Sequence, residues 1–202
     1  MKITAERLKS GKVKISADGE YRFSVPELIW YQSGLSSDCD SDEEELLSLK
    51  AEGDSSFAFE AALRLLSSRA HAKKELFFKL KMKYSAEAAG FAVEKCEGLG
   101  LIDDEKFAEI YAQELYERKN YSPSRIRAEL SQKGIDRETA ENAINLLDID
   151  KNECIINILN KMRLSYPLSE KDKNRAVRRL VSMGYSLSDI RKHLDVNDIA
   201  EW

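Results

Sequence analysis

RIRAELSQKGID, residues 125–136, returns in altered form from Arg175 as RAVRRLVSMGYS and has an earlier counterpart from Glu75, ELFFKLKMKYS. The alignment puts Leu80, Leu130 and Leu180 in register and matches Arg125 with Arg175. The turns Gly134-Ile135 and Gly184-Tyr185 also coincide, whereas the first copy has Lys83-Tyr84, one residue shorter and without glycine. Beyond the turn, Ala89 aligns with Ala140 and Ile190, and Val93 with Ile144 and Leu194. These two positions lie four residues apart, the spacing of an inward helix face.

On its N-terminal side, each copy is preceded by an amphipathic stretch with apolar residues three and four apart. The sets are Phe59, Ala62, Leu63 and Leu66; Phe107, Ile110, Tyr111 and Leu115; and Ile155, Ile158, Leu159 and Met162. Pro123 stands at a helix start, and Gly100, Gly134 and Gly184 stand where helices should end. Three helices recurring three times predict a mainly α chain with three-helix repeats at 55–102, 103–149 and 150–202. Stacking such units gives an elongated, curved body that binds along a surface. Leu76, Leu80, Ile126, Leu130 and Leu180 are the expected core.

Residues 1–54 read differently. In KVKISADGEYRFSV (12–25) the apolar Val13 and Ile15 alternate with polar neighbours, and the alternation resumes at Tyr21, Phe23 and Val25. Asp18-Gly19 between the runs predicts a β-hairpin, because both turn positions want positive φ. Pro26 should stop the second strand, the stretch 36–42 reads as a loop, and a short helix is expected over 43–51. So small a module is marginal alone and should pack on the helical repeats C-terminal to it.

At 202 residues and 43% hydrophobic content the chain can bury a real core. No window is apolar enough for a membrane span, and MKITAERLKSGKV lacks the apolar core of a secretory signal, so a cytoplasmic protein is expected. Cys39, Cys96 and Cys154 form no CxxC pair, and the last two read as core. His71 and His193 have no partner at ligand spacing, so neither a metal nor a cofactor is assigned. Phosphate-loop, HExxH and nucleophile–histidine–acid patterns are lacking, so no catalytic residue is named and no enzyme is expected. Asp103-Asp104 is read as complementing a helix dipole rather than as a ligand set.

The net charge of -4 is unevenly spread. DCDSDEEE (38–45) carries six acids and no base, whereas residues 151–194 hold ten Lys/Arg against four Asp/Glu. A chain so polarised can offer its basic half to an anionic partner. The candidate contact residues are Arg118, Lys119, Arg125, Arg127 and Lys133 in the second repeat, and Lys171, Lys173, Arg175, Arg178 and Arg179 in the third. Such a stripe suits acidic side chains of a protein or the phosphates of DNA. Tyr84, Tyr121 and Tyr185, near the turns, read first as packing residues and second as stacking platforms.

ALRLLSSRAHAKKELFFKL (62–80), GLGLIDDEKFAEIY (98–111) and SPSRIRAELSQKGID (122–136) together resemble the RecX regulatory family. Its repeats read like LxxRxxSxxEL, LGLxDDxxFA and GPxxIxxELxxKGI, in this order and at these separations. DGEYRFSVPELIW (18–30) is similar to the β-containing extension of many members. The chain departs from the pattern at Ser122, where the family often has glycine, and at Ala70 and His71, where it has a more basic pair. The basic run before Pro123 is also diluted to Arg118-Lys119-Asn120-Tyr121. The sequence leaves the oligomeric state open, with a monomer as the default expectation, and the resemblance implies a protein lodged in the groove of a RecA filament assembled with ATP on single-stranded DNA. It would inhibit the recombinase, ATPase and co-protease activities of RecA and so modulate DNA repair and the SOS response. Weak binding of single- or double-stranded DNA is compatible with that role. The alternative is an autonomous DNA-binding protein with helix-turn-helix-like units, which the acidic loop and a pI near 5.5 disfavour.

Overall fold

The structure, a computed structural model, describes residues 1–164 and 168–194. The expected end of the third repeat, at residue 202, lies outside them. The chain divides into two compact units, Met1–Asp103 and a second beginning at Asp104.

The first unit opens with an antiparallel sheet in the order β1 (Ile3–Arg7), β2 (Lys12–Ala17), β3 (Glu20–Pro26). The β2–β3 turn takes the predicted form, with φ of 50° at Asp18 and 84° at Gly19. Alternation then puts Val13, Ile15 and Val25 inside, together with Ile3 from β1. β1 is an addition to the expected hairpin. Its outer edge is covered by the acidic segment, since Ile3 N–H donates to the Cys39 carbonyl at 2.9 Å and Asp38 N–H to the Ile3 carbonyl at 2.8 Å. The acidic stretch thus protects a sheet edge. It also starts a helix, for Asp42 accepts from Glu45 N–H and Glu43, Glu44 and Glu45 occupy the first turn, where the helix dipole favours negative charge.

After the short α1 (Glu27–Gln32), α2 runs without a break from Glu43 to Ser68. The expected stop near residue 51 does not occur, and the boundary placed at 54/55 falls inside this helix. Gly53, two residues past that expected stop, is a packing residue: a Cβ there would lie 2.5 Å from Val25 Cγ1. The helix therefore approaches β3 where it has no side chain, and a single element serves both the sheet and the first three-helix bundle. That bundle is completed by α3 (Lys73–Lys81) and α4 (Ala86–Gly98), around Ala58, Ala62, Leu76, Leu80, Ala89 and Val93.

The second unit repeats the plan with α5 (Asp104–Lys119), α6 (Pro123–Lys133) and α7 (Arg137–Asn145), then α8 (Lys151–Lys161), α9 (Glu170–Ser182) and α10 (Leu187–Arg191). The third helix of every repeat is capped alike: Ser85, Asp136 and Ser186 accept from the N–H groups of Ala88, Thr139 and Asp189. Gly134 and Gly184 have φ of 89° and 86°, and Ile135 and Tyr185 return their N–H groups to the Leu130 and Leu180 carbonyls. This helix ending needs a left-handed residue. The first repeat instead closes on Leu80 through Lys83 and Tyr84, one residue sooner. The expected core residues Leu76, Leu80, Ile126, Leu130 and Leu180 are all buried. Leu63 and Ile110, expected inside, are 38% and 58% exposed, because the alanines Ala58, Ala62, Ala108 and Ala112 take the close-packed positions.

Candidate functional site

Within the second unit the end of α5 meets the third repeat, and the junction is built from backbone groups. Asn120, at φ 54°, ends α5, and its buried carbonyl accepts from Tyr185 O–H at 2.7 Å. Ser122 caps α6, donates through Oγ to the Gly184 carbonyl at 2.7 Å, and donates its N–H to the Met183 carbonyl at 3.1 Å. A third attachment comes from α8, where Lys161 Nζ donates to Asn120 Oδ1 at 3.1 Å. Gly184 fits against Arg125, whose Cβ would lie 2.8 Å from a Cβ at that position. Burial, the largest influence, pushes the Tyr185 hydroxyl well above its ordinary pKa and raises the nearby Cys154 thiol as well. Both stay protonated at neutral pH, and the junction is held together by these buried and part-buried hydrogen bonds.

Beside this junction opens a recess of about 280 Å³. Arg118 and Lys119 reach it from the last turn of α5, Lys161 from α8 and Arg179 from α9, over a floor that includes Ile158, Met162 and Met183. Arg118 pairs with Glu114 at 3.1 Å, and among the described residues no other carboxylate pairs with a lining cation. Four cations around one opening make a field that attracts an anion.

The ten basic candidates are thus divided. Arg118, Lys119 and Arg179 converge on the recess, and Arg175 stands alongside, donating to the Met162 carbonyl at 3.3 Å. Arg125 lies 5.5 Å from the Tyr121 ring and 2.6 Å from Glu129, with its buried Nε left without a partner, so it serves the junction. Arg127 makes a bidentate pair with Glu141 that ties α6 to α7. That bond raises the arginine's pKa and lowers the carboxylate's. Arg127 lines a separate recess with Asp136, and Lys133 sits 5.7 Å from the Tyr111 ring. On α9, Lys173 pairs with Glu170, Arg178 Nε donates to the Asn174 carbonyl, and Lys171 is exposed. Lys161 was not among the candidates. It lies in the last turn of α8, ten residues before Lys171 and within the basic 151–194 segment, but only the fold shows that it faces the recess. Tyr185 is fully packed, while Tyr84 and Tyr121 are half-buried.

Tandem three-helix domains define the class, a helical repeat protein. Similarity to known proteins narrows it. Residues 58–96 match the family model for the first three-helix domain of RecX, and residues 103–144 match that for the second. A regulatory protein RecX of Chlorobium phaeobacteroides (strain BS1) is 30% identical over 72% of this chain and 96% of its own. Another, from Caldanaerobacter subterraneus subsp. tengcongensis, is 27% identical over 95% of this chain and 96% of its own. The crystal structure of RecX from Lactobacillus salivarius superposes with a TM-score of 0.55 at 28% identity, over 71% of this chain and 97% of that one. A second RecX crystal structure, at 24% identity, shares the fold over 96% of this chain and 97% of its own, with a TM-score of 0.63. The chain belongs to the RecX family. Among the described residues no helix is long and apolar enough to cross a membrane.

Proposed function

We propose that this chain is a cytoplasmic, non-enzymatic regulator that binds the RecA filament on single-stranded DNA and inhibits its recombinase, ATPase and co-protease activities. Through that inhibition it modulates DNA repair and the SOS response. Membership of the RecX family supports the reading, and the observation that carries it is the convergence of Arg118, Lys119, Lys161 and Arg179 on one fixed recess. Long side chains held by a rigid frame lose less freedom on binding than those on a mobile loop, so more of the contact energy survives as affinity. Charge complementarity of this kind also speeds encounter with an anionic partner.

Co-sedimentation tests the reading. The chain is added to RecA filaments preformed on single-stranded DNA with ATP, and to the same DNA alone at the same salt. Sedimentation with filaments at near-stoichiometric ratios, well above that with bare DNA, is the expected result. Equal, strongly salt-dependent sedimentation with both samples contradicts it and favours an autonomous DNA binder.

A further inference from the structure

We propose that the recess beside the α5–α6 turn receives an acidic peptide segment with an apolar anchor side chain, rather than a run of nucleic-acid phosphates. The inference rests on the reading that the partner is a protein. Its first support is the mixed character of the recess. The rim carries Arg118, Lys119, Lys161 and Arg179, but Ile158, Met162 and Met183 beneath them belong to the third repeat's hydrophobic cluster or pack against it. Ile158 and Met183 are almost fully buried, so a phosphodiester backbone satisfies the rim and leaves the exposed part of that floor, chiefly Met162, uncovered. An aliphatic or aromatic side chain flanked by carboxylates satisfies both, and methionine adapts to the anchor's shape.

A base stacking on Tyr121 is the other way to cover apolar surface. That ring is already engaged, with Lys119 Nζ 5.4 Å and the Arg125 guanidinium 5.5 Å from its centre. Arg125 is further held by Glu129, so stacking has to disrupt contacts the fold has made. Size points the same way, since about 280 Å³ falls just below the usual range of small-molecule sites, roughly 300–1,000 Å³, and suits one anchoring side chain. Arg179, and Arg118 on exchanging its exposed pair with Glu114, would each take a carboxylate in bidentate fashion, which fixes the peptide's register.

The test is fluorescence anisotropy with the full chain and three labelled probes. These are a ten-residue Glu/Asp peptide with a central Phe, the same peptide with Ala there, and a twelve-residue oligothymidylate. The Phe peptide is expected to bind at least fivefold more tightly than the Ala peptide, and Lys119→Glu and Arg179→Glu each to weaken it at least tenfold at unchanged melting temperature. Equal binding of the two peptides, indifference to both substitutions, or tighter oligothymidylate binding through the same two residues overturns the proposal. RecA inhibition by the unmodified chain separates the two readings. Inhibition without binding of the Phe peptide sinks the peptide site alone, whereas peptide binding without any effect on RecA upholds the site and sinks the regulator reading.

Discussion

Gly53 and Gly90 both lie inside helices, yet they should respond to alanine in opposite ways. Gly90 faces open space, so Gly90→Ala removes backbone entropy from the unfolded chain and should stabilise by roughly 1 kcal/mol. At Gly53 a methyl group meets Val25 Cγ1 at 2.5 Å and Val25 Cβ at 3.1 Å, so strand β3 must shift. Overpacking of this kind costs about 1–3 kcal/mol, which cancels or outweighs the helix gain. Urea melts of the two variants should therefore move apart, and equal stabilisation of both contradicts the packing account. His71 gives a pH signature. It is 2% exposed, 3.0 Å from Glu75, and burial lowers its pKa below the ordinary 6.5 despite the carboxylate, with Arg69 and Lys79 adding to the effect. Its folded pKa is depressed, so the unfolded chain binds the proton first. Stability should fall as pH drops through 6.5 and level off only below the folded value. His71→Gln should flatten that fall, and an unchanged slope between pH 7.5 and about 5.5 contradicts the assignment.

Among the elements, the α5–α6 turn decides the geometry of the recess. Ser122 caps α6 and holds the Gly184 carbonyl, so Ser122→Ala should cost about 1–3 kcal/mol, counting the cap and the carbonyl left unpaired. Gly184→Ala should be worse than an ordinary Gly→Ala change, because φ is 86° and Arg125 occupies the space. A thermal melt that leaves both variants at the parent midpoint contradicts the junction described. The sequence made much of this level legible. The Asp18-Gly19 hairpin, the second and third helices of each repeat, and the one-residue shortening at Lys83-Tyr84 all follow from turn chemistry and spacing. Three features were not legible, each for a tertiary reason. β1 carries a single large apolar residue, Ile3, and owes its shelter to a segment more than thirty residues away. Gly53 resembles a helix breaker until Val25 is seen beside it. Ile110 looks inward by size, whereas close approach selects Ala108 and Ala112. The recess was half visible: local charge named Arg118, Lys119 and Arg179, but Lys161 and the methionine floor join them only through the packing of α8 against α9.

Across the chain as a whole, charge distribution outweighs net charge. The acidic segment is committed to an edge strand and a helix start in the first unit, while the basic side chains of the second gather around a recess. Reversing Arg175, Arg178 and Arg179 together should weaken filament binding much more than it lowers the melting temperature, because all three are exposed, the Arg178 bond stays within α9, and the Arg175 bond to the Met162 carbonyl is a single exposed contact. Full retention of inhibition by that triple variant contradicts the role given to the α9 stripe. The decisive measurement is RecA's DNA-dependent ATP hydrolysis, titrated with this chain after filaments have formed. Inhibition is expected at near-stoichiometric or lower amounts, with weak binding to bare DNA at the same salt. Undiminished hydrolysis together with tight binding to DNA alone would contradict the regulator reading.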